Sequence, residues 1–140
     1  MKIEKTNKKD VDSFLKVIKK IHKMATNYNP ETNIRDLASL EFIIYKSFNN
    51  KIKTPIDFAE HFVYYIPTRQ VFSDGNKRTA VSLAISILKT EYKEFKKPVK
   101  GINWENKENQ IVKFMIDIVD RKYTLKQVKV KLREIFLKFW

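Results

Sequence analysis

The sequence predicts an all-α protein that forms one domain around a buried central helix. Apolar residues recur at helical spacing through most of the 140 positions, and only two glycines and four prolines interrupt them. The segment 80–88 is apolar on nearly every side, which is typical of a helix surrounded by others. The hydrophobic content of 43% is enough for a packed core. Because neither a repeat nor a linker divides the chain, residues 1–140 are expected to form a single domain.

Six helices are expected in the order of the chain. Each has apolar residues every three or four positions, and the predicted spans are about 10–24, 34–48, 54–67, 76–94, 106–120 and 124–140. Thr54 and Pro55 are typical of a helix start, since a threonine hydroxyl can accept a bond from first-turn amides and proline fits the first helical position. Thr124 and Gln127 have the spacing of a capping box.

The remaining segments are predicted to connect these helices. The polar stretch 27–33 is expected to be a loop, residues 71–75 a turn, and Pro98 and Gly101 mark a further loop. The brief basic segment 49–53 is a candidate short strand, which could offer an edge to a target protein.

The composition limits the classes of partner and location. The chain has 29 Lys and Arg against 16 Asp and Glu, and its net charge of +13 favours acidic partners such as nucleotides, nucleic acid or an acidic protein segment. Lys far outnumbers Arg, which favours a solvated surface over a nucleic-acid footprint. The absence of cysteine excludes disulfides and thiolate zinc sites. With no apolar run long enough to span a bilayer and no signal-peptide pattern, we expect a soluble cytoplasmic protein.

Residues 74–78, Asp-Gly-Asn-Lys-Arg, combine the features of an anion-binding site at a helix start. First-turn amides have no partners inside a helix, and the helix dipole adds partial positive charge there. Gly75 permits close approach of the backbone to a ligand. Lys77 and Arg78 place positive charge at the positive end of the helix dipole, which is unfavourable, and a bound anion would offset that cost. Asp74 is a hard oxygen ligand that suits magnesium held together with phosphates. The sequence therefore favours a magnesium–nucleotide site.

A purely structural interpretation competes with this one. Asp74 and Gly75 are typical of a turn, and Asn76 is typical of a helix cap. In this interpretation the two cations that follow have no ligand. The pattern is not a P-loop, because it lacks the further glycines and the Gly-Lys-Ser/Thr ending.

Residues 70–81, Gln-Val-Phe-Ser-Asp-Gly-Asn-Lys-Arg-Thr-Ala-Val, resemble the motif of the Fic/Doc (death-on-curing) family. That motif has the form His-x-Phe-x-Asp/Glu-Gly-Asn-Gly-Arg-x-x-Arg, and its Doc branch has Lys after Asn and lacks the final Arg. Lys77 and Val81 match the Doc branch. The flank 33–37 is similar to the segment ahead of the motif in Doc-like proteins, and the resemblance extends over about residues 12–95.

The resemblance implies a role for each motif residue. Asp74 would hold Mg²⁺, the amides of Gly75, Asn76 and Lys77 would form an anion hole for ATP, and Arg78 would neutralise terminal phosphate charge. Fic proteins with Gly at the Lys77 position usually transfer a nucleotide monophosphate to a protein hydroxyl. Doc-like proteins with Lys there resemble kinases that phosphorylate a translation elongation factor, so the resemblance favours phosphoryl transfer over adenylyl transfer.

Gln70 departs from the motif at the histidine that accepts the proton of the target hydroxyl. A carboxamide cannot accept that proton, and loss of a general base typically lowers the rate by about 10²- to 10⁴-fold. His61 lies nine positions earlier, about 13 Å along a continuous helix, and is too far to replace it. His22 has helical spacing with apolar neighbours and is expected to be structural. Gln70 therefore suggests a natural pseudoenzyme, an inactivated variant or a slow enzyme.

The resemblance also implies partners. Doc-like toxins are held by a separate antitoxin that folds on binding, and a basic surface suits an acidic antitoxin tail. Thr90 to Phe95 does not complete the self-inhibitory pattern of many Fic proteins, so no internal inhibitor is expected. The alternatives are a non-catalytic nucleotide- or partner-binding module, a Fic-type adenylyltransferase, and a basic nucleic-acid or ribosome-associated protein that retains the motif as a relic.

Overall fold

A computed structural model describes residues 5–48, 52, 54–94, 104–121 and 123–136. These residues form seven helices, and the predicted all-α single-domain fold is confirmed. The helices are α1 (Lys5–Thr26), α2 (Pro30–Asn33), α3 (Leu37–Ser47), α4 (Pro55–Arg69), α5 (Asn76–Glu94), α6 (Trp104–Arg121) and α7 (Leu125–Phe136). Within the described ranges there is no β-strand, only an isolated antiparallel bridge between Ile34 and Phe72. No helix in these ranges is long and apolar enough to cross a membrane.

Helix α5 lies at the centre, as its apolar sequence predicts. It packs against α1, α4 and α6, and α4 makes the most extensive contact with it. Its buried apolar side chains are Ala80, Val81, Leu83, Ala84, Ile85 and Leu88. Because it has neighbours on three sides, the start of α5 is held in a fixed position relative to α1 and α4.

The loop predicted at 27–33 is wrong in its second half, where α2 forms. The Asn29 side chain accepts a hydrogen bond from the Glu31 amide, and Pro30 occupies the first helical position. This short helix has no buried residue, so the apolar periodicity on which the prediction relied does not reveal it.

The second predicted helix begins three residues later than expected, at Leu37. Ile34 is extended and bridges Phe72, and Asp36 is the N-cap, accepting a bond from the Ser39 amide at 3.0 Å. Residues 33–36 are therefore not part of α3 and instead contact the segment that precedes α5.

Two predicted helix starts are confirmed in detail. Thr54 and Asp57 form a capping box at the start of α4, and Thr124 and Gln127 exchange the equivalent bonds at 2.8 and 3.2 Å at the start of α7. Helix α4 continues through Pro67 to Arg69, two residues beyond the predicted end. Most of the candidate strand 49–53 and the whole loop around Pro98 and Gly101 lie outside the described residues.

Helix α7 is joined to α4 by a partly buried charge cluster. Arg133 donates from Nε to Glu60 Oε1 at 2.8 Å and from a terminal nitrogen to Asp57 Oδ1. Glu60 is fully buried, and its Oε2 has no hydrogen-bond partner in the part of the chain that the structure describes. Desolvation raises the pKa of Glu60, while Arg133 opposes that shift.

Candidate functional site

The motif residues lie in a tight loop between α4 and α5. Helix α4 ends at Arg69, and its C-cap, Gln70, has left-handed φ of 48° and ψ of 54°; Gly75 has φ of 80°. The Asn76 side chain closes the loop, because its Oδ1 accepts from the Phe72 amide at 2.9 Å and its Nδ2 donates to the Phe72 carbonyl at 2.8 Å. Asn76 thus shapes the loop with its side chain and leaves its own amide for another partner.

The connector between α2 and α3 binds this loop from the side. The carbonyl of Val71 accepts from the amides of Arg35 at 2.7 Å and Asp36 at 3.1 Å, and the Ser73 amide donates to the Asn33 carbonyl at 2.7 Å. The flank 33–37, singled out in sequence by its similarity to Doc-like proteins, therefore touches the motif. These bonds join segments nearly 40 residues apart and hold the loop rigidly.

A buried histidine supports the loop from below. His22 Nε2 lies 3.0 Å from Asn33 Oδ1 and 3.2 Å from the Asp74 carbonyl oxygen, and both are acceptors. Its ring stacks on Phe72 with centroids 4.0 Å apart. The expectation that His22 is structural agrees with this burial, since the ring is fully covered. Its Nδ1 is buried and has no hydrogen-bond partner among the described residues.

Gly75 sits directly against α1. A Cβ built on Gly75 would lie 2.3 Å from Thr26 Cγ2, far inside van der Waals contact. Together with the positive φ, this close approach requires glycine at the last position before α5.

The first turn of α5 offers unpaired backbone donors. The amides of Asn76, Lys77 and Arg78 have no hydrogen-bond partner in the described structure, whereas the Thr79 amide already donates to the Gly75 carbonyl at 2.9 Å. The Gly75 amide is engaged by Asp74 Oδ1 at 2.7 Å, so the free donors begin one residue later than the sequence comparison implies.

Positive side chains surround these amides. Lys77 is half-buried and Arg78 is exposed, and neither forms an ion pair with any carboxylate that the structure describes. Unpaired cations beside unpaired helix amides create a positive potential, which stabilises a bound anion such as a phosphate.

Asp74 is oriented by two donors. Its Oδ1 accepts from the Gly75 amide and its Oδ2 from the Tyr28 hydroxyl at 3.0 Å. These bonds, the Gly75 amide foremost, lower the pKa of Asp74, so the carboxylate is charged at neutral pH.

Asp74 suits a magnesium ion whose other ligands come from a bound phosphate and from water. No group of three or more potential ligand side chains lies together in the described ranges. Each Asp74 oxygen keeps a further lone pair, which suits a magnesium ion bound by one carboxylate plus substrate phosphates and water. Asp74 is therefore suited to hold Mg²⁺ only together with a phosphate ligand.

Gln70 lies at the edge of the loop with an exposed side chain. Its carbonyl accepts from Arg35 Nε at 3.0 Å, and among the described residues no hydrogen bond fixes its carboxamide. The side chain is therefore free to meet a target hydroxyl by hydrogen bonding but not to accept its proton.

Neither histidine takes the place of a general base. His61 is buried on α4, and its Nε2 lies 2.7 Å from the Ile43 carbonyl. Burial lowers the pKa of His61. Since α4 is continuous between His61 and Arg69, the separation expected from the sequence holds.

Sequence reasoning placed six site residues, and the structure brings Gln70, Asp74, Gly75, Asn76, Lys77 and Arg78 together in one loop and helix turn. It missed Tyr28 as the partner of Asp74 and the bridging role of Asn33. Both lie in the polar stretch 27–33, more than 40 residues from Asp74, and no local pattern connects them.

Comparison of the chain with protein-family models, with curated proteins and with solved structures gives no match in any of the three. The resemblance to the Fic/Doc family therefore rests on the motif 70–81 and its flank alone.

Proposed function

We propose that the protein binds the phosphates of Mg²⁺–ATP at the start of α5 and is a Doc-like phosphoryl transferase weakened by Gln70. The observation that carries the proposal is the set of free amides of Asn76, Lys77 and Arg78 on a rigid loop beside one oriented carboxylate, Asp74. Helix amides, a guanidinium and a carboxylate for magnesium are the groups that phosphoryl transfer requires, since positioning and charge stabilisation supply most of its catalysis.

Each group has a distinct part in the proposed reaction. The amides donate to non-bridging phosphate oxygens, and Arg78 balances the charge that develops during transfer. Asp74 holds the ion that a nucleotide brings. Lys77 favours the γ-phosphate as the transferred group, by the similarity to Doc-like proteins, over the adenylyl transfer of Fic proteins.

Gln70 limits the rate rather than the binding. Its carboxamide can orient a protein hydroxyl, but the proton must pass to water or to a phosphate oxygen. A transfer with a largely dissociative transition state tolerates this better than one that needs a strong nucleophile. A nucleotide-binding pseudoenzyme is the second candidate, and the absence of a proton acceptor at Gln70 favours it.

The biological setting follows from the same resemblance. A Doc-like toxin would phosphorylate a translation elongation factor and be held by an acidic antitoxin. The net charge of +13 is compatible with such a partner.

The test is transfer from γ-labelled ATP in a cell lysate with magnesium. The Gln70→His variant, produced under control of an antitoxin or a tight promoter, is expected to label a protein at a rate about 10² to 10⁴ times that of the present chain. Histidine is tolerated in left-handed backbone better than most residues, so the loop should keep its shape. Label from α-labelled ATP instead would indicate adenylyl transfer. If neither chain transfers label but both bind nucleotide, the pseudoenzyme is the correct function.

A further inference from the structure

A cavity of about 550 Å³ is lined by residues of α3, α4 and α7. Helices α3 and α7 each pack on α4 without packing on one another, and the space between them forms the cavity. Its volume is within the range of small-molecule sites, roughly 300 to 1,000 Å³.

Part of the cavity lining is apolar. The apolar lining residues include Ala38, Phe42 and Ile43 of α3, Tyr65 of α4 and Leu125 of α7. Phe42 is 48% exposed, and the Lys46 Nζ lies 5.4 Å from the centre of its ring. These side chains suit the flat or aliphatic body of a ligand.

The same lining carries positive charge. Lys46, Arg69 and Lys129 line the cavity, and none of them lies within ion-pair distance of a carboxylate in the described residues. Among the lining residues that the structure describes, Asp57 is the one carboxylate, and it is already paired with Arg133 and accepts from the Thr54 amide. The described lining therefore has three cations and no unpaired carboxylate.

We infer that this cavity binds a small carboxylate with an aromatic or aliphatic body. The apolar side chains of the lining remove that body from water, which favours binding. Arg69 presents a planar fork that pairs with a carboxylate through two parallel bonds, and Lys46 and Lys129 add charge. A half-open cavity of this size suits a small molecule better than a peptide helix, which needs a longer groove.

The inference is independent of the proposed nucleotide site. None of Asp74, Asn76, Lys77 and Arg78 lines the cavity. Binding here is therefore expected to persist in a variant that has lost phosphate binding.

Naphthoate is the probe, and its neutral isostere naphthalenemethanol is the matched control, both measured by titration calorimetry. Naphthoate is expected to bind with a stoichiometry of one and a Kd on the order of 0.1 mM, which is ordinary for a ligand of this size. The alcohol is expected to bind about tenfold or more weakly, since it cannot pair with the cations. Equal affinities for the two compounds would overturn the inference.

Variants locate the binding to the cavity. Lys129→Met should weaken naphthoate binding roughly three- to tenfold, whereas Lys131→Met, on the same helix but outside the lining, should leave it unchanged. Ala38→Trp should fill the cavity and abolish binding, and Ala38 is exposed enough for the variant to fold. Unchanged binding in both Lys129→Met and Ala38→Trp contradicts the assignment.

Two other results would also overturn it. Loss of naphthoate binding in Arg78→Met would make the cavity part of the nucleotide site. Failure of naphthoate to bind, together with tight binding of an acidic amphipathic peptide, would assign the cavity to a protein partner.

Discussion

Replacing Gly75 by alanine puts a methyl group where the loop before α5 touches α1. The new Cβ would lie 2.3 Å from Thr26 Cγ2, and Thr26 is buried and cannot easily move away. An overpacked contact of this kind typically costs about 1 to 3 kcal/mol. The φ of 80° adds about 1 to 2 kcal/mol for any residue with a Cβ. The free energy of unfolding should therefore fall by about 2 to 5 kcal/mol, a large share of the stability of a small domain.

A double variant separates the two contributions. Thr26→Ser removes Cγ2 but keeps the hydroxyl, which donates to the His22 carbonyl at 2.6 Å and accepts from the Tyr28 amide at 3.1 Å. In urea titrations, Gly75→Ala combined with Thr26→Ser should recover about 1 to 3 kcal/mol relative to the sum of the single changes. The backbone contribution should remain. Strictly additive free energies, or a Gly75→Ala variant as stable as the parent, would refute the close approach.

Three further changes test other parts of the structure. Arg133→Met should lower the free energy of unfolding at pH 7 by about 1 to 3 kcal/mol, because it leaves the buried Glu60 carboxylate unpaired. Since the folded pKa of Glu60 is raised, that loss should shrink as the pH falls toward 4.5 and Glu60 is protonated, and urea midpoints at several pH values measure it. The pKa of His61 is lowered in the folded state, so its contribution to the free energy of unfolding is complete above about pH 6.5 and is lost as the pH falls through the folded pKa. His61→Gln should therefore reduce the loss of unfolding free energy between pH 7 and 5. The same dependence of unfolding free energy on pH in the variant and the parent would contradict this. Asn33→Ala removes the side-chain oxygen that lies within hydrogen-bond distance of both His22 Nε2 and the Asp74 amide. The free energy of unfolding, measured by thermal unfolding, should fall by about 1 to 2 kcal/mol, and Mg²⁺–ATP binding should weaken. Unchanged binding would mean that Asn33 does not position Asp74.

The sequence was most informative where local rules decide the structure. Helical periodicity found α1 and α3 to α7, and the caps at Thr54 and Thr124 marked two starts correctly. It failed at α2, where four residues are too few for a period, and at Ile34, whose extended backbone depends on its partner Phe72. The local cap at Asn29 and Pro30 starts α2, whereas a tertiary contact with Phe72 accompanies the extended backbone of Ile34.

The same division applies to the site. The unpaired amides of Asn76, Lys77 and Arg78 follow from a helix that begins after Gly75. The local sequence alone indicates that helix start. The fully buried His22 and the bond from Tyr28 to Asp74 join α1 and the following loop to the motif across about 50 positions. Contacts at such separations arise from packing, so no pattern within one sequence predicts them.

Calorimetric titration of the chain with ATP, with and without magnesium, tests nucleotide binding at the start of α5 most directly. Binding is expected to need magnesium and to weaken about tenfold or more in Arg78→Met, since a charge-assisted bond to phosphate is lost. Arg121→Met, which replaces an exposed arginine at the end of α6, is the charge-matched control and should bind as the parent does. Equal weakening in the two variants would show that general positive charge attracts nucleotides, and no binding at all would refute the proposed nucleotide site.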